Sequence, residues 1–268
     1  MLRHLRMTSI LVLLQFFSLS SFGLTPEFYT VRESVPVSDI SLDPAIAFAA
    51  MTSQVVDDVL DLLSWQLHKQ KMPEPTEPYN RLSQYGTWVL NPQDGTCHNT
   101  RARVLMRESQ VPVTFSRGGC SVIAGKWLDP YSNRYYERAS DLDIDHVVPL
   151  KNSYTSGAWS WDYKKRCLYA NFMENEFHLI PVKDDDNKKK GDSGPDKFMP
   201  SDRAYACEYL ANWLKIKLIW NLAMPSAEAE AIEKLSQSNH CANNLMSLEM
   251  SDLRRERQSI FSNIELCK

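Results

Sequence analysis

Between Asp141 and Pro200 the chain carries two short apolar runs, DLDIDHVVPL and HLIPV, each followed or ended by polar side chains able to do chemistry. The first alternates from Leu142 to Val148 in the manner of a half-buried strand. Pro149 ends it, because proline has no N–H to give to a ladder. Asp145 and His146 therefore sit side by side at a strand end. The second run, Phe177 to Val182, reads as another strand and leads into Asp184-Asp185-Asp186-Asn187-Lys188-Lys189-Lys190-Gly191. Acids, then lysines, then a glycine spell a short helix, since anions suit its positive start and cations and glycine its end. Two strands and a helix that converge an Asp, a His and an Asn constrain this stretch to a compact α+β unit built around those groups.

The Asp145 carboxylate and the Asn187 amide oxygen are hard ligands of the kind that Mg²⁺ or Mn²⁺ prefers, and so small a ligand set leaves positions for phosphate oxygens and water. A neutral His146, with an ordinary pKa of ~6.5, can take a proton from an attacking water at neutral pH. DIDHVVPL, a following Asn, LIPV and NKKKGD resemble the HNH (ββα-metal) nucleases, including the HNH domain of RNA-guided effector nucleases, and most closely their small secreted bacterial-type relatives. The resemblance runs from about Tyr85 to near Cys241. It implies an α+β fold: a ββα-metal (HNH) nuclease core with supporting helices and short strands, stapled by disulfides. It also implies a metal-dependent endonuclease in which His146 is the general base and Asp145 and Asn187 hold one divalent cation, Mg²⁺ first and Mn²⁺ second. The implied substrate is DNA, with RNA as an alternative. For the middle Asn of the motif, Asn175 is assigned as catalytic, four residues before Leu179, with Asn171 and His178 as rivals. Asp143 is expected to orient rather than to ligate.

Residues 1–23 read as a secretory signal, with Arg3 and Arg6, an apolar core from Ile10 to Leu19, and small residues where a peptidase could cut. That core is shorter than the ~20 residues a membrane span needs, and no later segment supplies one. A secreted protein without stable membrane association is expected. The formal charge is −3, and losing the two signal arginines leaves −5, two units more acidic. Since polyanion binding rests on clustered Lys and Arg, nucleic-acid contact must be local. The candidates are Lys164, Lys165, Arg166, Lys188 and Lys190, with Arg101, Arg103 and Arg107 as a further cluster.

Six cysteines behind a signal segment point to disulfides. No CxxC pair is present, which argues against structural zinc. The resemblance to the secreted nucleases implies Cys97–Cys120 and Cys207–Cys241, leaving Cys167 and Cys267 as a third pair.

The remaining organisation follows from periodicity and punctuation. An irregular arm gives way at Ser41 to a helix that runs to about Lys69, and MPEPTEP forbids its continuation. The chain is thus divided into a signal (1–23), an arm, helix and Pro-rich linker (24–78), an HNH nuclease domain (79–242) and a C-terminal helix (243–268). Thr100 to Glu108 predicts a helix, Ser121 to Leu128 a strand, Asn152 to Ser160 a loop and Trp161 to Met173 a helix. A longer helix, Arg203 to Trp220, is predicted to carry an apolar stripe of Tyr205, Tyr209, Trp213, Ile216 and Trp220. Two further readings use the same residues: a non-catalytic, disulfide-stapled nucleic-acid-binding protein, and a nuclease toxin held by an inhibitor protein. Retention of a base beside two metal ligands favours the enzyme over the binding module.

Overall fold

The computed structural model describes residues 31–32, 74–91 and 94–267. The signal segment and the helix expected from Ser41 lie outside the described residues. In chain order the elements are β1 (Val31–Arg32), α1 (Arg81–Tyr85), α2 (Thr100–Glu108), β2 (Thr114–Phe115), β3 (Val122–Asp129), β4 (Arg134–Arg138) and β5 (Leu142–His146). There follow α3 (Leu150–Thr155), α4 (Tyr163–Asn171), β6 (Leu179–Lys183), α5 (Asp184–Lys190), α6 (Ala206–Ile219), α7 (Ser226–Ser238), β7 (Leu248–Glu249) and α8 (Met250–Ser262). Strands β2, β3 and β4 form an antiparallel sheet, β5 and β6 an antiparallel pair, and β1 pairs with β7 in parallel. This is a mixed α and β architecture with small sheets.

Local chemistry explains the boundaries. Asn99 caps α2 by accepting from the Ala102 amide at 3.0 Å, and Asp162 caps α4 by accepting from Lys165 at 2.8 Å. Helix α5 has the acids in its first turn and the lysines in its last. It stops at Gly191, whose φ of 55° lets its N–H reach the Asn187 carbonyl at 2.9 Å. The stretch expected as a loop after Pro149 departs from the sequence reading. Leu150–Thr155 is helical: β5 ends at His146, and Pro149 sits just before the helix, where its missing N–H costs nothing and its carbonyl accepts from Ser153 at 2.8 Å. The predicted helix from Arg203 opens as a 3-10 turn, Arg203–Tyr205, capped by Asp202 before α6 proper.

The β5–β6 pair lies between two apolar clusters. Leu142, Ile144 and Leu179 pack with Val104, Leu105 and Trp127 on one side, whereas Ile180 and Val182 join the larger core built on α4 and α6. Being covered on both faces, these strands read as near-continuous apolar runs. The α6 stripe is core: Tyr209, Trp213, Ile216 and Trp220 are fully buried, each such side chain contributing roughly 1.5–3 kcal/mol.

Three disulfides staple this frame: Cys97–Cys120, Cys167–Cys267 and Cys207–Cys241. Cys167 on α4 and Cys267 are 100 residues apart. Closing a loop of that length removes the most unfolded-state entropy of the three, up to ~4–5 kcal/mol in the chain-entropy model. No described helix is long and apolar enough to cross a membrane.

Candidate active site

The register of β5 against β6 sets Asp145 opposite Ile180 and His146 opposite Leu179. Side chains alternate along a strand, so Asp143 and Asp145 share one face. Residues three apart share a face on a helix, and α5 presents Asn187 and Lys190 in that relation. The two pairs meet. Asn187 Nδ2 donates to Asp143 Oδ2 at 3.2 Å, and Lys190 Nζ donates to Asp145 Oδ1 at 2.8 Å. A carboxylate pair of period two thus holds an amide and an ammonium of period three, docking α5 on β5.

Asp145 is only 4% exposed and Lys190 fully buried. Tyr131 donates its hydroxyl to Asp145 Oδ2 at 2.6 Å, and Lys190 Nζ also reaches the His146 carbonyl at 2.9 Å. Burial pushes the Asp145 carboxyl up and the Lys190 ammonium down, and each partner's charge opposes that shift. Both carboxylate oxygens accept hydrogen bonds, which is the ionised arrangement. Tyr131 is itself placed by Asp129, whose Oδ1 accepts from the Tyr131 amide at 2.8 Å in the β3–β4 turn.

His146 is 7% exposed and its ring lies parallel to that of Trp88 at 5.4 Å. Its Nε2 is 2.9 Å from the Ala170 carbonyl. A carbonyl only accepts, so Nε2 carries the proton and Nδ1 is the basic nitrogen. Burial, then the neighbouring His178, hold the imidazole well below its ordinary pKa, and the Ala170 bond opposes them. His146 is therefore neutral at physiological pH. This side chain is more enclosed than its position at a strand end suggests, because α4 and the Trp88 segment close over it.

Asp145, His146 and Asn187 line one open pocket of about 280 Å³, together with Tyr79, Arg81, Pro149, Lys151 and Asp192. Asn175 does not line it. Its Nδ2 donates to Glu256 at 3.1 Å and its Oδ1 accepts from the His178 amide at 3.0 Å, so it closes the loop before β6. The rivals are engaged as well: Asn171 is bonded to Val89, Thr100, Thr87 and Cys167, and His178 Nε2 donates to the Tyr169 carbonyl at 2.7 Å.

The expected nucleic-acid contacts have partners within the protein, some buried and some at the surface. Lys190 is buried on Asp145, and Arg166 donates to the carbonyls of Gln84, Trp159 and Trp161. Lys164 pairs with Glu265 at 2.8 Å, Lys165 lies 4.5 Å over the Trp161 ring, and Lys188 pairs with Asp184 at 2.9 Å. Arg101 and Arg107 brace the strands from α2. Arg101 donates to Leu142 O at 2.7 Å and Arg107 to Leu179 O at 2.7 Å, each at the first residue of its strand. A guanidinium presents several donors in a fixed fork and so suits groups of backbone carbonyls. Charge runs alone did not separate such braces from free cations. Tyr131 and Trp88 were missed as site neighbours, and Lys190 was expected on nucleic acid rather than on Asp145, since their partners lie 14, about 60 and 45 residues away in sequence.

His178 gives a prediction of its own. Burial, opposed by the Tyr169 bond and helped by the Arg107 charge, lowers its pKa from 6.5 to about 4. A His depressed in the folded state binds its proton more readily when unfolded. Stability is therefore full above pH ~6.5 and is lost as pH falls toward ~4, by about 3 kcal/mol. Urea denaturation at a series of pH values should show this acid limb, shallower in His178→Gln. Equal slopes for the two proteins would refute the assignment.

Residues 104–235, just under half of the chain, match the family model described as GmrSD restriction endonucleases, C-terminal domain. This match to a nuclease family supports an endonuclease acting on nucleic acid. An Arthroderma benhamiae protein named as an uncharacterized secreted protein is 40% identical over 162 residues, which cover 60% of this chain and 76% of that relative. No solved structure matches the chain significantly. The likeness to a protein named as secreted agrees with the three disulfides of an extracellular protein. The chain belongs to the family of that secreted protein, and its segment holding Asp145, His146 and Asn187 falls within the match to a nuclease domain.

Proposed function

We propose that this protein is a secreted endonuclease of the HNH (ββα-metal) type that hydrolyses phosphodiester bonds of DNA, with RNA as an alternative substrate, using one divalent cation. The observation that carries the reading is the His146 ring, fixed through Nε2 so that Nδ1 is its basic nitrogen, in the same pocket as Asp145 and Asn187.

The donor set fits a hard cation. Each Asp145 oxygen accepts one protein hydrogen bond, leaving about two of a carboxylate's four lone-pair positions. Asn187 gives its amide nitrogen to Asp143, which orients the amide and leaves Oδ1 as its acceptor end. Asp145 and Asn187 would hold the ion, and no cluster of three or more His, Cys, Asp or Glu adds to them among the described residues. Such a site suits Mg²⁺ or Mn²⁺, which keep water and phosphate ligands. When bound, the cation supplies positive charge for the phosphoryl oxygens and the leaving 3′-oxygen in the transition state.

The chain's own residues do the rest. His146 Nδ1 takes the proton of the attacking water, and the Ala170 carbonyl stabilises the imidazolium that results by accepting from Nε2. Lys190 and Tyr131 fix the Asp145 carboxylate from two sides, and Asp143 fixes Asn187. Asn175 holds the loop that enters β6 and does not touch the reacting groups. Because water attacks, no 2′-hydroxyl is needed, which is why DNA is the first substrate.

Supercoiled plasmid incubated with the purified protein should be nicked and linearised with Mg²⁺ or Mn²⁺ and left intact with EDTA. Asn187→Ala should need more cation for the same rate. Cleavage that persists undiminished in EDTA would remove the cation from the reading, and no cleavage of DNA or RNA with any divalent ion would remove the reading itself.

A further inference from the structure

Two cationic side chains line the pocket, Arg81 and Lys151. Lys151 is already engaged, its Nζ lying 2.5 Å from Asp192. Among the described residues Arg81 has no ion pair, side-chain hydrogen bond or ring contact, and it is exposed. Its backbone is nonetheless fixed. Asn80 caps α1 by accepting from Ser83 at 3.1 Å, Gln84 Nε2 donates to the Tyr154 hydroxyl at 2.8 Å, and Tyr85 shares a 2.7 Å hydrogen bond with Ser153. An unpaired cation is thus presented to the pocket from a helix locked onto α3.

Helix stability does not explain it. Arg81 opens α1, where the helix dipole disfavours a cation and favours an acid. Among the described residues its side chain makes no hydrogen bond or ion pair that would hold the helix in place, a task done by Gln84 and Tyr85. What remains is its relation to the pocket: a planar guanidinium with several free donors, matched to two oxygens of a phosphodiester, on the wall of the pocket that also holds Asp145, His146 and Asn187.

We propose that Arg81 grips the nucleic-acid phosphate that enters this pocket, and that a residue outside the segment matching the nuclease model thereby supplies the pocket's substrate-binding charge. The inference rests on the endonuclease reading for its substrate, but its test does not need cleavage. Binding of a fluorescent duplex oligonucleotide is measured by anisotropy at several salt concentrations, on the full chain carrying His146→Gln to prevent turnover, with and without Arg81→Ala. One lost phosphate contact should flatten the slope of log K against log salt by about 0.9 for a duplex, or about 0.7 for a single strand. With His146 intact, Arg81→Ala should lower kcat/KM on plasmid by tenfold or more, and Arg81→Lys should recover the salt slope but only part of the rate. Arg81→Gln, which retains the stem, serves as a second variant, and neither should lower the melting temperature.

An unchanged salt slope in both Arg81→Ala and Arg81→Gln overturns the proposal, as does an oligonucleotide that binds none of the proteins. A His146→Gln protein that cleaves at the wild-type rate overturns the assigned active site instead, and leaves the Arg81 slope to be read by itself.

Discussion

Replacing His146 by glutamine should lower phosphodiester cleavage by about 10²–10⁴-fold, the range that general base catalysis contributes. Glutamine is the informative variant because its Nε2 can keep a donor on the Ala170 carbonyl while the basic Nδ1 disappears. Alanine confounds the result. His146 is buried and stacked on Trp88, so truncation leaves a cavity and an unsatisfied carbonyl whose cost falls on folding rather than on chemistry. The measurement is single-turnover nicking at saturating Mg²⁺, alongside urea denaturation of the same protein. A His146→Gln protein that folds and nicks within threefold of wild type would take His146 out of the role of base.

Lys190→Met should destabilise the protein by about 3–5 kcal/mol, because it leaves the Asp145 carboxylate buried without its cation. Asp145→Asn should cost a similar amount for the mirror reason, stranding an ammonium that is fully buried. The double variant should be less destabilised than the two single losses added together, since no unpaired charge remains. Denaturation midpoints of the four proteins form a cycle, and strictly additive losses would mean that the pair is not coupled. The functional consequence follows from the geometry. Lys190 Nζ bonds both Asp145 and the His146 carbonyl, so it ties the helix that carries Asn187 to the strand that carries the other two groups. Cleavage should therefore fall in Lys190→Met even at temperatures where the variant remains folded.

The comparison of Arg107 and Arg81 shows where a sequence stops being informative. Both are arginines on short, capped helices, Arg81 in a first turn and Arg107 in a last turn beside Glu108, but these local differences do not say which one faces a pocket. Arg107 is spent on four backbone carbonyls, from Met173 to Leu179, besides Glu108, whereas Arg81 has no hydrogen-bond or ion-pair partner among the described residues and lines a pocket. The difference lies in partners about 70 residues away, so only the folded chain assigns a role to each.

By itself the sequence determined the elements whose signals are local. Alternation marked β5, which ends at His146 rather than at the expected Val148, the order of acids, lysines and glycine marked α5 to its last residue, and the spacing of Tyr209, Trp213, Ile216 and Trp220 marked a core helix. It also brought Asp145, His146 and Asn187 into one hypothesis, and these do share a pocket. It did not reveal the partners that Asn175, Arg166 and Lys190 have in the fold, which are Glu256, the Trp161 carbonyl and Asp145. The physical reason is the range of the interactions. Strand alternation, capping and dipole preferences act within a turn or two, so neighbouring residues record them. Which lysine is buried, which imidazole nitrogen keeps its proton and which arginine stays free are settled by desolvation and by hydrogen bonds across long sequence separations, and those exist only once β5, β6 and α5 have packed.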